Sequence, residues 1–150
     1  APRYQDIPPE DVPEVILQSD VKIRVLVGES HGVHGAVQGI VTDPLYLDVQ
    51  VPAQANCTLP VQRGHTVFCY VFEGAGAFGA STQTVARQQL AVFSDGEVVT
   101  VKTTDMPVRF LLLAGKPLHE PVARYGPFVM NTEEEIVQAV EDFRRGTFLT

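Results

Sequence analysis

Residues 65–72 read HTVFCYVF, a run in which almost every side chain is apolar. Such a run predicts a β-strand that is covered on both of its faces. The turn residue Gly64 precedes it, and residues 74–76 (GAG) follow it, where we expect the strand to close in a tight turn. The segments around this strand decide what covers it.

Shorter strands are predicted on both sides of this run. Residues 21–27 and 45–51 alternate apolar and polar side chains, as strands with one buried face do. Further strands are predicted at residues 89–93, 98–102 and 108–114. We expect residues 94–97 (SDGE) to form a hairpin turn between the first two of these. Many short strands with turns rich in Gly and Pro predict an all-β domain of the jelly-roll type.

One α-helix is predicted near the end of the chain. Thr132 and Glu135 have the spacing of a capping box, which satisfies the first amide hydrogens of a helix. The residues that follow place one apolar face at helical spacing, namely Ile136, Ala139, Val140 and Phe143. Gly146 suits a left-handed cap, so the helix is expected to run over residues 133–145.

The composition excludes several classes of protein. The chain has 150 residues, of which 45% are hydrophobic and 19% charged, unlike a disordered chain or a coiled coil. No apolar run reaches the roughly 20 residues of a membrane-spanning helix. The net charge is −7, and no basic stripe is present, so we expect neither membrane insertion nor direct binding of nucleic acid. Cys57 and Cys69 form no metal or disulfide motif, which favours a reducing, cytoplasmic location.

Three segments are expected along the chain. Residues 1–20 contain four prolines in their first 13 positions and predict an extended arm whose apolar members include Tyr4 and Ile7. Residues 21–131 form the predicted barrel, and residues 132–150 form the helix and tail. The apolar face of the helix must be covered, either within this domain or by another one.

The residues alone assemble neither a catalytic nor a metal site. His31 and His34 are spaced as a metal pair beside Glu29, but the glycines around them predict a solvated loop. His65 stands at a strand entrance and His119 in a proline-flanked loop with Glu120, so both are more typical of structural residues. Gly74, Gly76 and Gly79 have part of a dinucleotide-binding spacing, without the helix that such a site requires. No nucleophile motif is present.

Four segments carry a resemblance to a known family. Residues 64–76 (GHTVFCYVFEGAG) resemble the Tyr-Val-x-Glu-Gly core of the cupin superfamily. Residues 43–49 (DPLYLDV), 110–118 (FLLLAGKPL) and 120–132 (EPVARYGPFVMNT) resemble the C-terminal half of pirins. The similarity runs through nearly the whole chain. It implies that the chain folds as a cupin-type double-stranded β-helix with one C-terminal α-helix. It also implies a bicupin family, in which one chain contains two such barrels.

The resemblance also implies where iron would bind. Pirins are non-haem iron proteins whose metal lies in the N-terminal barrel, and quercetin 2,3-dioxygenase-like enzymes and transcriptional regulators are among them. This chain resembles the second barrel and the preceding linker. The family's ligand positions correspond here to Pro60 and Gln62 and, by a looser alignment, to Arg109 and Leu111. These side chains cannot form that ligand set, so no cofactor is expected in this domain.

Three functions therefore stay open. The first is a non-catalytic, structural or regulatory domain that docks an iron-binding N-terminal cupin, or a second copy of itself, through Tyr4, Ile7, Ile136, Val140 and Phe143. The second is part of a quercetin 2,3-dioxygenase-like enzyme, for which Gln62, His65 and Glu73 are the one cluster to nominate. The third is an empty barrel that binds a small apolar ligand. Its predicted ligand-binding residues are Gln62, His65, Phe68, Tyr70, Phe72 and Phe110.

Overall fold

Strand segments of alternating polarity form a curled antiparallel sheet in the computed structural model of the protein. The structure describes residues 6–37, 39–40, 42–80 and 83–148. Short 3-10 turns span Pro9–Asp11 and Gln18–Asp20. The strands are β1 (Glu14–Ile16), β2 (Lys22–Val27), β3 (Glu29–Ser30), β4 (Val33–His34), β5 (Leu45–Val51), β6 (Asn56–Pro60), β7 (Thr66–Phe78), β8 (Thr84–Ala86), β9 (Gln89–Val92), β10 (Val98–Lys102), β11 (Val108–Gly115), β12 (Ala123–Tyr125) and β13 (Phe128–Met130). Helix α1 spans Glu133–Arg145.

The chain divides into two compact units. The first, Asp6–Pro117, contains the large sheet, whose strand order is β1-β2-β5-β11-β7-β10-β6, with β8 and β9 also paired to β7. The second contains the described residues from Leu118 onward, with the β12–β13 hairpin and α1. The predicted strands are confirmed, and so is the mostly β class with one C-terminal helix. The predicted division at residues 20, 131 and 150 stays a prediction.

Strand β7 does not end at the glycines, so the predicted tight turn at residues 74–76 is wrong. The strand continues to Phe78, and its last residues pair with β10 and β8. A β-bulge makes this possible: Arg109 opposes Glu73 while Phe110 opposes Val71, which leaves Phe72 as the extra residue. The glycines therefore let one long strand bend from one layer of the curled sheet into the other.

The predicted hairpin turn at residues 94–97 is also wrong. Strand β9 pairs with β7, whereas β10 pairs with β6 and β7, so this loop crosses between layers. Its polar groups bond to the β6–β7 connection instead of closing a hairpin. Asp95 accepts a hydrogen bond from the Gly64 amide at 2.7 Å, and the Glu97 carbonyl accepts one from the Val61 amide at 2.9 Å.

The inward side chains of both layers fill the space between them. Phe110 is fully buried and meets Phe78 edge to face, with ring centroids 4.9 Å apart. Leu47, Val71 and Leu112 are also completely buried in this core. The polar Thr103 is accommodated because its hydroxyl bonds the backbone of Pro52 and Ala55. The centre of the unit is therefore a packed core.

The second unit confirms the predicted helix and its ends. The Thr132 hydroxyl accepts a hydrogen bond from the Glu135 amide, and the Glu135 carboxylate accepts one from the Thr132 amide. Gly146 takes the left-handed cap at a φ of 74°. Ile136 and Ala139 are buried, while Phe143 is 66% exposed and meets Phe128 edge to face at 5.8 Å.

The N-terminal segment is more regular than an extended arm. Val15 of β1 pairs with Ile23 of β2, so residues 14–16 extend the sheet. Ile7 is half-buried, and Tyr4 lies outside the described residues. No helix among the described residues has both the length and the apolarity to cross a bilayer.

Candidate functional site

The four positions that would carry a metal-binding cupin's ligands do not converge. Pro60 and Gln62 line a cavity of about 370 Å³ beyond the end of β6. Arg109 and Leu111 project from the opposite side of β11 to the buried Phe110, and neither lines that cavity. The donor chemistry is also unsuitable, since proline and leucine offer no side-chain donor and a guanidinium repels a cation. These residues do not fit the family's iron.

The 370 Å³ cavity brings together two residues of the predicted site, Gln62 and His65. The His65 amide donates to the Gln62 carbonyl at 3.2 Å, which closes the turn before β7. Glu29 and Asp43 also line the cavity. Two carboxylates and an imidazole make it a polar pocket, suited to a small polar or cationic group. Glu73, the third member of the nominated catalytic cluster, does not line it.

The other three histidines lie in two different parts of the fold and form no common site among the described residues. His31 and His34 belong to the short β3–β4 hairpin rather than to an irregular loop. The His31 ring nitrogen Nδ1 lies 3.0 Å from the Ser30 hydroxyl, and His34 Nδ1 lies 3.6 Å from a Glu29 carboxylate oxygen. His119 belongs to the second unit. Across the described residues, no three His, Cys, Asp or Glu side chains are arranged to hold a metal ion.

The predicted aromatic lining is divided between two faces of the sheet. Phe110 opposes Val71 across the β7–β11 ladder, so both face the core. Phe68, Tyr70 and Phe72 alternate with the buried Val67, Cys69 and Val71 and therefore face the other way. The six predicted ligand-binding residues thus occupy three places: the polar cavity, the core and the outer side of β7. Binding by these residues stays a prediction.

Sequence reasoning did not find the aromatic residue that packs on Phe110. Phe78 faces the core because the bulge at Phe72 changes which residues of β7 point inward. Alternation counted from Val67 would place an even-numbered residue outside. The one available signal was the glycine pair at positions 74 and 76, which is typical of a bulged strand.

A cluster of polar contacts around the Arg109 guanidinium lies on the outer side of the sheet in the first unit. Arg109 donates through Nε to Asp48 Oδ1 at 3.0 Å and through Nη2 to Asp48 Oδ2 at 2.7 Å. Its Nη1 lies 3.6 Å from Glu73, and its carbon Cζ lies 5.0 Å from the centroid of the Phe72 ring. The hydrogen bond to Asp48 raises the pKa of Arg109, against the smaller opposing effect of burial. Charge, planarity and packing all fix this side chain.

Both cysteines are buried and free, as predicted from their apolar surroundings. Burial raises the pKa of each thiol to about 11. A thiol with that pKa stays protonated near neutral pH and is therefore a poor nucleophile or metal ligand.

Comparisons with known proteins agree on one family. Residues 46–149 match the model of the pirin C-terminal cupin domain. Pirin of Homo sapiens is 39% identical over 147 residues, which cover 95% of this chain and 50% of that protein. A pirin-like protein of Solanum lycopersicum is 37% identical over 97% of this chain and 50% of its own length. The chain spans about half the length of the curated relatives it matches.

The solved structures show the same correspondence. A quercetin 2,3-dioxygenase from Acinetobacter baumannii superposes with a TM-score of 0.86 and 33% identity, over 99% of this chain and 51% of that one. A second structure under that name from the same organism, 19% identical with a TM-score of 0.74, shares the fold. The sheet order, the terminal helix and these matches together assign the chain to the pirin family, as its C-terminal cupin domain.

Proposed function

We propose that this domain is the non-catalytic half of a two-cupin protein and that it packs on an iron-binding cupin domain. The observation that carries this proposal is the side-chain content of the four ligand positions. Pro60, Gln62, Arg109 and Leu111 occupy them, and the structure places them in two separate regions. Arg109 is already committed to Asp48 through two hydrogen bonds.

The packed core supports the same proposal. A catalytic or ligand-binding barrel needs an interior space that substrate can enter. Here Phe110, Leu112 and Val49 are completely buried in one continuous apolar cluster. That cluster occupies the interior between the two layers around these side chains.

Metal analysis of the purified 150-residue chain tests the proposal, followed by oxygen uptake with quercetin. We expect substoichiometric iron and no uptake above the buffer rate. Iron bound at one equivalent and lost on substitution of His65 by Ala would overturn it. His119→Ala is the matched control, since His119 belongs to the other unit.

The name of one structural relative, which is 33% identical to this chain, favours a second candidate, in which the intact protein is a quercetin 2,3-dioxygenase. In that case this half would support catalysis in its companion without contacting the flavonol. Activity present in the two-half protein and absent from this chain alone is the expected result. Equal turnover by this chain would contradict the non-catalytic assignment.

A ligand role, the third alternative, has one supporting feature. The polar cavity at Gln62 and His65 is large enough for a small molecule, whereas the aromatic residues expected to line a barrel face elsewhere. A thermal-shift screen of flavonoids checks this. A rise in midpoint that is abolished by Gln62→Ala would establish binding there, and no shift at high concentration would end the idea. We also propose a cytoplasmic location, supported by the two free thiols and checked by cell fractionation.

A further inference from the structure

We propose that the outer side of the β5–β11–β7 sheet is the surface on which the companion cupin domain docks. This surface, called here the docking face, consists of Tyr46, Phe68, Tyr70, Phe72, Leu111 and Leu113. The proposal rests on the two-cupin function above and names the face that serves it. It differs from docking through the N-terminal arm and the helix.

The strand register gathers these side chains into continuous rows. Tyr70 lies opposite Leu111 on one side and Leu90 on the other, so three strands contribute to one row. Phe68 likewise stands between Leu113 and Val92, and Leu113 in turn opposes Tyr46. Directly opposed residues of an antiparallel ladder project from the same face. One row, which runs from Val27 of β2 through Tyr46 to Val92 of β9, is apolar across five strands. The neighbouring row is apolar on β9, β7 and β11 and ends at Asp48 and Arg24 on β5 and β2.

The docking face is open to solvent in this chain. Tyr70 is 38% exposed, and Leu90 and Val92 of the adjoining strand β9 are 55% and 69% exposed. The other five members of the face are half-buried. An antiparallel sheet that faces water carries polar side chains there, and an apolar one marks a surface that another body covers.

The outer side of the other layer provides an internal comparison. Strands β6 and β10 project Asn56, Thr58, Thr100 and Lys102 outward, with Val98 as the large apolar exception. These strands alternate buried apolar and exposed polar side chains, as strands of a sheet with one face in water do. Large apolar outer side chains are therefore concentrated on β7, β9 and the second half of β11, with Tyr46 of β5, whereas Asp48 and Gln50 make the rest of β5 polar on that side.

The Arg109 cluster gives this face a fixed polar element at its margin. Two hydrogen bonds to Asp48 and the Phe72 ring beneath it hold the guanidinium in one orientation. Arginine, tyrosine and phenylalanine are enriched in the cores of protein interfaces, and side chains held in place before binding lose little entropy when a partner arrives. The face thus combines apolar area with a positioned charge.

The length of the relatives argues for a companion domain as the occupant. Human pirin and the A. baumannii structure are each about twice as long as the part this chain covers, and the matching model is that of a C-terminal domain. A domain tethered in the same chain is present at high effective concentration. Five strands of this length cover roughly 500 Å² in plan, on the order of one partner's share of a standard interface.

A two-half chimera tests the proposal. In it, residues 1–150 replace the matching half of the A. baumannii quercetin 2,3-dioxygenase. The test variant is Tyr70→Glu with Leu113→Lys, which sets opposite charges diagonally on the docking face. The control is Val98→Glu with Thr58→Lys, which makes the same change on the other layer, between paired strands β10 and β6. Calorimetry follows unfolding of the chimera and of the isolated chain.

We expect the chimera and its control to unfold in one transition. In the docking-face variant of the chimera, this single transition should split into two. The midpoint of the substituted half should fall by roughly 5 °C or more and should equal the midpoint of the isolated chain with the same two substitutions. A single unshifted transition in that variant would overturn the proposal. A second outcome would also overturn it. In that outcome the isolated chain forms a concentration-dependent dimer by sedimentation, the two substitutions abolish the dimer, and the same substitutions leave the unfolding of the chimera unchanged. Iron bound by the isolated chain would refute the non-catalytic function without changing this result.

Discussion

Arg109 and Asp48 are joined diagonally across two neighbouring strands. The register of β11 and β5 places Arg109 opposite Gln50 and Asp48 opposite Leu111. The long guanidinium reaches across that offset to form both hydrogen bonds, at 3.0 and 2.7 Å. Asp48 is 8% exposed and Arg109 also approaches Glu73. A carboxylate this buried depends on its partner for nearly all the stabilisation that water would otherwise supply.

Removal of Arg109 alone should therefore destabilise the domain. We expect Arg109→Met to lower the free energy of unfolding by about 3 kcal/mol, because the largely buried Asp48 side chain would lose both of its hydrogen bonds from the guanidinium. Urea denaturation monitored by circular dichroism measures the effect. The double variant Asp48→Leu with Arg109→Met removes both charges and should lie within about 1 kcal/mol of the parent. Equal losses in the single and double variants would show that packing, not charge pairing, explains the result.

Gly74 should tolerate no side chain. Its φ is +70°, and a Cβ there would overlap the carbonyl oxygen of Pro107. Gly74→Ala is expected to cost about 3 kcal/mol or more, since the strain adds to a backbone collision. Gly64 has a similar φ of +81° with no atom near its Cβ position, so Gly64→Ala should cost only about 1 kcal/mol. Chemical denaturation of the pair separates the collision from the backbone strain.

The strands and the helix were predictable because each rests on local pattern. Val21 to Val25 alternate apolar and polar side chains, Leu45 to Val51 place every second side chain in the core, and Thr132 with Glu135 gives a capping signal that depends on three residues of spacing. The packing of neighbouring elements confirms these patterns and does not override them. Local signals therefore established the class of fold and the bounds of α1.

The turn at residues 74–76 and the site around it could not be predicted in the same way. A bulge is defined by the partner strand, and the partner of Glu73 is Arg109, 36 positions further along the chain. Arg109 and Asp48 are 61 positions apart, so their pairing is hidden in the same way and requires the β5–β11 register. Glycine at such a position is typical of a chain reversal, whereas here Gly74 permits a close approach of the strand to the Pro107 carbonyl.

The capping box of α1 should make a measurable local contribution. Thr132→Ala removes the acceptor of the Glu135 amide, which lies 3.2 Å from the hydroxyl. We expect a loss of about 1 kcal/mol in the stability of this helix. Hydrogen exchange of the Glu135 and Ile136 amides, which bond to the hydroxyl and the carbonyl of Thr132, should accelerate by roughly fivefold, as that free energy implies. Glu134→Ala, in the same turn, is the control and should leave the exchange of the Glu135 amide nearly unchanged.

The buried thiols should make stability depend on pH in the alkaline range. Burial raises the pKa of Cys57 and of Cys69 to about 11, whereas a thiol in the unfolded chain titrates near about 8.5. Below that lower value both states hold the proton and the thiols make no pH-dependent difference. As pH rises from about 8.5 toward 11, the unfolded state loses protons first, so the free energy of unfolding falls.

The loss should be on the order of 2 to 3 kcal/mol per thiol by pH 10.5. Urea titrations at several pH values measure it, and the Cys57→Ala with Cys69→Ala variant is the control for lysine and tyrosine titration. We expect the parent to lose stability more steeply than this variant above pH 8.5, and the two slopes to agree below it. Parallel curves over the whole range would mean that the thiols ionise in the folded state as readily as in the unfolded one. That outcome would contradict the burial of both sulfur atoms and, with it, the inward orientation assigned to β6 and to the first half of β7.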